Sequence, residues 1–482
     1  MANRYWVTGG NGNTNSTTNW SDASGGAAGF SVPTSSDNAI WDVNSGSGTS
    51  TVNALLSCLS INCTGFTGTL TGSSNINVSG SVTFDAGMTL SCTGLLTISG
   101  AATLNWGGKT WGGAMTWTTA GIRTLLSDIT ITGTFTNNSG GGTITANGLF
   151  NINVGGSLVM TSLIVGTSTI VINGTGTWSG AGQVSCNLTI NTVGTLTLSG
   201  TVIYASNTFL YTLGTVVTTG STLRMNTGTY DVSTITFDNI IVVATSVLTS
   251  DLNLTGTLTY AAGSAYSLTG SNINCSGSVV YNSGAICTGT TTLNFTGTGT
   301  WTNPGNGNIS HPVVINTDGI ITISGTVKFG GSSLTYRRGK VIAGTATLNI
   351  ASSCTLINIH KIVFGYVTIV GGQLINMNEF FSGSANIRTR ISSTNTTNYI
   401  VTFQDGFEKI SKFVRISNTT ITNRLQLLVI TDKANANTAG AVNLGVRYNN
   451  TVPNGISKSN PSANSPACFG IDDGFCAEPL SK

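Results

Sequence analysis

Charge is scarce in this 482-residue chain. Asp, Glu, Lys and Arg make up 7% of it, against roughly 25% in ordinary soluble domains. Histidine occurs only as His311 and His360. A Ser-His-Asp triad needs an imidazole held by a carboxylate, and neither histidine has an acidic neighbour in sequence, so both are expected as surface or strand residues. P-loop, HExxH and EF-hand patterns are missing. Gly-x-Gly strings such as Gly297-Thr298-Gly299 precede turns rather than helices, so no dinucleotide site and no cofactor is read. No apolar run approaches the ~20 residues that span a bilayer as a helix. Proline is limited to 7 residues, which leaves most backbone N–H groups free for ladders. The 9 cysteines, at 58, 63, 92, 186, 275, 287, 354, 468 and 476, stand singly with no CxxC pair. The odd count and the scatter argue against a disulfide framework or a zinc site. The seven from Cys58 to Cys354 read as small apolar residues facing a core; Cys468 and Cys476 could pair under oxidation.

What the chain has instead is glycine, 63 residues of it, and Thr, Ser and Asn alternating with apolar residues that total 39%. That hydrophobic content argues against a disordered low-complexity chain. Runs such as Leu196-Thr197-Leu198 and Ile321-Thr322-Ile323 have the period of two that marks a strand with one buried face. These runs recur in a larger repeat. Residues 168–204 read STIVINGTGTWSGAGQVSCNLTINTVGTLTLSGTVIY and residues 291–329 read TTLNFTGTGTWTNPGNGNISHPVVINTDGIITISGTVKF. Diverged copies occupy 101–135 and 221–260, and the aromatic after each turn is Trp111, Trp178, Tyr230 and Trp301. Such units cannot close their own cores and must stack on neighbours. The spacing fits about three coils of ~20 residues per repeat, stacked about 4.8 Å apart, so that some sixteen coils would make a rod of about 80 Å. The fold class expected is all-β: a β-solenoid, or β-helix, with no helical periodicity.

Three segments follow. Residues 1–48 hold Trp6, Trp20 and Trp41 and read as an aromatic cap over the open end of the first coil, where an edge would otherwise be exposed. Residues 49–385 are the repeat body. Residues 386–482 read as a small C-terminal β domain ending in an extended, proline-bearing tail from Pro453. Charge changes along the way. Residues 50–327 carry 3 Lys and Arg against 6 Asp; residues 328–482 carry 15 Lys and Arg against 7 Asp and Glu. The basic excess is spread out and lacks interleaved aromatics, so nucleic acid is not an expected partner.

The opening YWV…NW…GG…VPTSSDNAIWD resembles the start of many phage and bacterial β-strand-repeat proteins, the match resting on Tyr5, Trp6, Asn19, Trp20, Pro33, Asp37, Ala39 and Trp41. The usual first Gly-x-Trp of that pattern is replaced by Gly12-Asn13-Thr14. With the repeat body, the chain resembles phage β-solenoid virion proteins of the tail-fibre, tailspike and head-fibre kind. The resemblance implies a non-enzymatic structural protein on the virion surface. It would be often a homotrimer, bound to other virion proteins and used for adhesion to the host surface. Capsid decoration, a bacterial surface adhesin at the cell surface, and a polysaccharide depolymerase are the competing readings. The start MANRYWVTGG lacks the layout of a secretion signal, as expected for a virion protein made in the host cytoplasm, or for a mature form.

Candidate sites are few. Trp111, Trp117, Trp178 and Trp301 at the turns have two readings: ring faces that stack on a surface glycan or a partner chain, or aromatics that close the coil core. Glycan cleavage would need two carboxylates roughly 5–10 Å apart. Asp231 and Asp251 are one ~20-residue coil apart, with Asp238 close by, but Asp is also favoured in turns, and no catalytic residue is assigned. Phe403, Phe407, Phe413, Leu425, Leu427 and Leu428 in the C-terminal segment are the expected oligomer contacts. No metal and no membrane span are expected.

Overall fold

In a computed structural model, residues 1–342 are described apart from 264, 304–306 and 331. Beyond them, the description covers residue 346 and the backbone of the strands Thr347–Ile350, Thr355–Ile357, Tyr366–Ile369, Leu374–Met377, Thr389–Ser392, Tyr399–Phe403, Val414–Ile416 and Thr419–Ile421. The chain is a β-solenoid of about 15 turns, and the described residues are 57% strand and 2% helical. It divides into two compact units, Met1–Ile241 with Thr245–Asn253, and Val242–Ala244 with Leu254–Lys482.

In much of the first unit, a turn lays down three short strands, and each stacks in parallel on its counterpart one turn later. On one ladder, Ala39, Ile61, Val82, Leu104 and Leu125 stand in register, so a turn there takes 21 or 22 residues. A second ladder runs through Leu56–Cys58, Ile76–Val78, Leu96–Ile98, Met115–Trp117, Phe135–Asn137 and Leu158–Met160. The third includes Gly12–Asn13, Thr49–Thr51, Thr69–Gly72 and Thr89–Cys92. The period-two alternation decides which side faces in. Leu96 and Ile98 are fully enclosed while Thr97 between them is not, and the pattern repeats at Met115–Trp117 and Leu158–Met160. Leu56, Ile76, Leu96, Met115, Phe135 and Leu158 thus form one stacked apolar column. Full burial of each such side chain stabilises by about 1.5–3 kcal/mol.

The corner leading into this ladder is built of glycine. Gly94, Gly113, Gly133, Gly156 and Gly176 follow one another on successive turns. A Cβ at Gly133 would sit 2.7 Å from the Gly113 carbonyl, and one at Gly176 would sit 2.5 Å from Gly156. Main chains of adjacent turns touch there, so a side chain has no room.

The first strand of the ladder, Asn3–Trp6, is covered by Trp20–Ser21, which runs antiparallel to it, while Asn38–Ile40 pairs on its other side. Trp6, Trp20 and Trp41 are enclosed and meet ring to ring at 5.5, 6.4 and 5.3 Å. The Asp37 carboxylate accepts from the Thr34 hydroxyl at 2.7 Å and from the Ala2 N–H at 3.1 Å, and the Thr34 bond in particular holds its carboxyl below the usual range.

In the second unit, Thr257–Tyr260 pairs with Ser278–Tyr281, and that strand with Gly299–Asn303. Ile273–Cys275 pairs with Leu293–Phe295, which pairs with Val313–Phe329. The backbone strands beyond residue 346 also pair in parallel, Tyr399–Phe403 with Thr419–Ile421 among them. The expected tail from Pro453 and the remainder of 386–482 lie outside the described residues.

Each unit contains the same bent corner. In Gln183–Ser199 and its neighbour Thr208–Val217, the register breaks on either side of Asn191. In Val313–Phe329 and Ser333–Ile342, it breaks on either side of Asn316, 125 positions later. The Thr192 and Thr317 hydroxyls donate to the Gly174 and Gly297 carbonyls at 3.0 and 2.8 Å. They also accept from the Gly194 and Gly319 N–H groups at 2.9 and 2.8 Å. The Tyr211 and Tyr336 hydroxyls donate to the Gly214 and Gly339 carbonyls at 2.6 and 2.5 Å. Gly214 and Gly339 have φ of 122° and 125°, a region that favours glycine.

Candidate functional site

The tryptophans that could have offered stacking faces are inside. Trp111, Trp117, Trp178 and Trp301 are all 0% exposed. Each takes the inward place of an alternating strand and packs on another ring. Trp117 meets Phe135 at 4.9 Å, Trp178 meets Phe209 at 5.9 Å, and Trp301 meets Phe295 at 5.1 Å. Trp111 lies 6.3 Å from Phe84 and donates its indole N–H to the Gly94 carbonyl. The sugar-stacking expectation is therefore corrected: these rings fill the coil, where their apolar faces are hidden from water. Phe407, Phe413, Leu425, Leu427 and Leu428, expected at an oligomer contact, lie outside the described residues. Phe403 closes a strand described by its backbone alone.

The acids act on the backbone. Asp85 accepts the Gly65 and Gly87 N–H groups at 2.8 and 2.7 Å, and these bonds hold its carboxyl below the ordinary range. Asp128 accepts the Asn151 N–H at 2.8 Å and Asp238 the Gly220 N–H at 2.7 Å, each from another turn. Asp231 and Asp251 are not opposite one another. Tyr230 faces Leu248, an offset of 18, so Asp251 lies two residues beyond the place facing Asp231. No group of three His, Cys, Asp or Glu side chains among the described residues could hold a metal.

His311 is buried, not at the surface. Its Nδ1 lies 3.2 Å from the Pro312 carbonyl and its Nε2 2.9 Å from the Tyr281 hydroxyl. A carbonyl only accepts, so Nδ1 carries the proton and Nε2 accepts from Tyr281. Burial pushes the imidazole pKa down to about 4. His360 lies outside the described residues. Cys58, Cys63, Cys92, Cys186, Cys275 and Cys287 are free and buried. Burial raises their thiols, that of Cys58 to about 12 and that of Cys275 to about 11, so none is a ready nucleophile. Cys354, Cys468 and Cys476 lie outside the described residues.

Two charged features escaped the sequence reading. Arg123 is completely enclosed. It stands in register between Ala102 and Ala146, whose small side chains leave it space. Its guanidinium donates to the Gly121 and Ile98 carbonyls at 3.2 and 3.3 Å and lies 5.7 Å over the Trp117 ring, while Nε has no partner. Burial lowers its pKa to about 10. The signal was its inward phase, two residues before Leu125.

The other feature is the bent corner of the second unit. Arg337, Arg338 and Lys340 point outward there, beside the exposed Asp318. Arg338 is bound to Asp318 at 3.0 Å and donates to the Asn316 Oδ1 at 3.1 Å. No described helix is long and apolar enough to cross a membrane. No family model, curated protein or solved structure matches the chain.

Proposed function

We propose that this chain is a structural protein of a bacteriophage particle, a surface fibre or spike that works by adhesion to the host rather than by catalysis. One observation carries the reading. Among the described residues the chemistry-bearing side chains are largely spent on the scaffold: the tryptophans, six cysteines and His311 fill the interior, and Asp85, Asp128 and Asp238 clamp turns. What remains outside is a Thr-, Ser- and Asn-rich surface on a hydrogen-bonded ladder, suited to persistence outside a cell and to polar contacts. The resemblance of the opening segment and repeats to phage β-solenoid proteins supplies the particle. A homotrimer held through the C-terminal segment is part of this reading.

Immunogold microscopy of phage lysates, with antibodies to the purified chain, tests it. Label on tail fibres or spikes supports the reading. Label on the capsid alone replaces it with decoration, and label confined to the bacterial envelope replaces it with a cellular adhesin. New reducing ends released from host capsule or lipopolysaccharide, and lost when Asp231→Asn is combined with Asp251→Asn, would make it a depolymerase.

A further inference from the structure

The two bent corners are one scaffold built twice, and they differ where the scaffold is indifferent. Inward positions keep their character: Leu188 and Val313, Ile190 and Ile315, Leu196 and Ile321, all fully buried. The hydroxyl bonds of Thr192 and Thr317 and of Tyr211 and Tyr336 are the same. Outward positions change. Val193, 94% exposed, is matched by Asp318, whose side chain is 81% exposed. Thr212, Leu213 and Thr215 are matched by Arg337, Arg338 and Lys340. The first corner folds without charge, so the charges of the second are not needed to make the turn.

They are also concentrated. Eight Lys and Arg residues precede residue 345, and three of them fall within 337–340. Among the described residues one acid, Asp318, faces them, and its bond to Arg338, with the one Arg338 donates to Asn316, fixes the guanidinium in place. An exposed ion pair of this kind adds little stability, but among the described residues it leaves Arg337 and Lys340 as a positive edge with no second acid beside them. Among the described residues no aromatic platform accompanies it, since Tyr336 is buried and bonded to Gly339. Single-stranded nucleic acid, which needs such platforms, is thereby disfavoured. A chain of regularly spaced anions needs only fixed cations on an open edge.

We propose that the corner formed by Asp318, Arg337, Arg338 and Lys340 is a contact surface for an acidic polysaccharide. The biological partner rests on the adhesion reading; the binding itself does not, and is measured on the purified full chain without particles. The probes are polygalacturonate for carboxylate, dextran sulfate for sulfate and neutral dextran as control, each followed by biolayer interferometry from 50 to 300 mM NaCl. The expected result is binding to at least one acidic polymer and none to dextran. Arg337→Thr/Arg338→Leu/Lys340→Thr, which installs the residues the first corner already carries, should weaken binding tenfold or more. It should also lower the log–log salt slope by about 2 to 3. Adding Thr212→Arg/Leu213→Arg/Thr215→Lys to that variant should restore binding, which guards against a simple folding defect. The proposal is overturned if neither acidic polymer binds at 50 mM NaCl, if the triple variant binds within twofold of the parent, or if oligo-dT binds more tightly than both polymers.

Discussion

His311 is neutral because burial opposes its charge and its surroundings among the described residues offer backbone carbonyls and a hydroxyl but no carboxylate. Its neighbours are the Tyr281 hydroxyl, the Pro312 carbonyl and, at 6.0 Å, the Tyr260 ring. A proton taken up there would be a buried charge, so the folded-state pKa falls to about 4 from about 6.5 in the unfolded chain. Above pH 6.5 neither state is protonated and stability is complete. As pH falls from 6.5 towards 4 the unfolded chain binds the proton first, and roughly 3 kcal/mol is lost across that window, about 2 of it by pH 5. Urea denaturation at pH 7 and pH 5 should show this loss. His311→Cys, which copies the matched residue Cys186, should flatten the slope while lowering stability at pH 7; an unchanged slope would refute the assignment. Arg123 makes the opposite point. A buried guanidinium with an unpaired Nε and no carboxylate is a net cost. Arg123→Met should therefore leave stability unchanged or raise it by about 1 kcal/mol or more, because Met fills similar length without the charge. A loss above about 2 kcal/mol in thermal or urea unfolding would show that the carbonyls and Trp117 compensate it.

At the scale of the strand and its corner, the alternation of apolar and Thr, Ser or Asn residues sets the inward face, and the glycines set how closely turns approach. Gly133 illustrates the second constraint. Its added Cβ would meet the Gly113 carbonyl at 2.7 Å and the Ala114 nitrogen at 2.8 Å, both main-chain atoms of the adjacent turn. Gly133→Ala should destabilise the first unit by about 1–3 kcal/mol, in the range for overpacking. Gly140→Ala, where nothing lies within 4 Å, should suffer only the strain of a φ of 65°, a smaller effect of about 1 kcal/mol. Equal losses in the two variants, read by thermal melts, would remove close approach as the reason for the glycine column. The duplicated corner belongs to this scale too: Tyr211 and Tyr336 hold the same turn, and the charges of the second copy stand at outward positions.

For the whole molecule, the question is what keeps charge-poor chains apart. A surface with so few like charges repels weakly, and outward Thr, Ser and Asn can hydrogen-bond across an interface. The expected outcome is a homo-oligomer, most simply a trimer, with the contact in residues 386–482. Light scattering of the full chain should give a multiple of the chain mass at micromolar concentration. The chain truncated after residue 385 should scatter as a monomer and remain β-rich by circular dichroism. A full chain at monomer mass would defeat the prediction, and an intact oligomer after truncation would move the contact to the solenoid.

The solenoid was legible in the sequence because its causes are local. Period-two alternation, glycine at turns and a repeat that cannot close its own core all lie within twenty or so residues of one another. The burial of Cys58 and Cys275 followed from the same alternation, at Leu56-Ser57-Cys58 and Ile273-Asn274-Cys275. What only the tertiary structure decided is where each side chain finds itself across turns. An aromatic after a glycine turn can face in or out with the same sequence neighbours, and stacking on Phe135, Phe209 and Phe295 from other strands drew Trp117, Trp178 and Trp301 inside. Arg123 reads as a surface cation until Ala102 and Ala146 are seen above and below it. Asp231 and Asp251 look one turn apart by counting, but the turn at that point takes 18 residues rather than 20. A two-residue change in turn length keeps the inward face and moves every partner along the ladder. For that reason the sequence could name the coil, and only its register could say which residues meet.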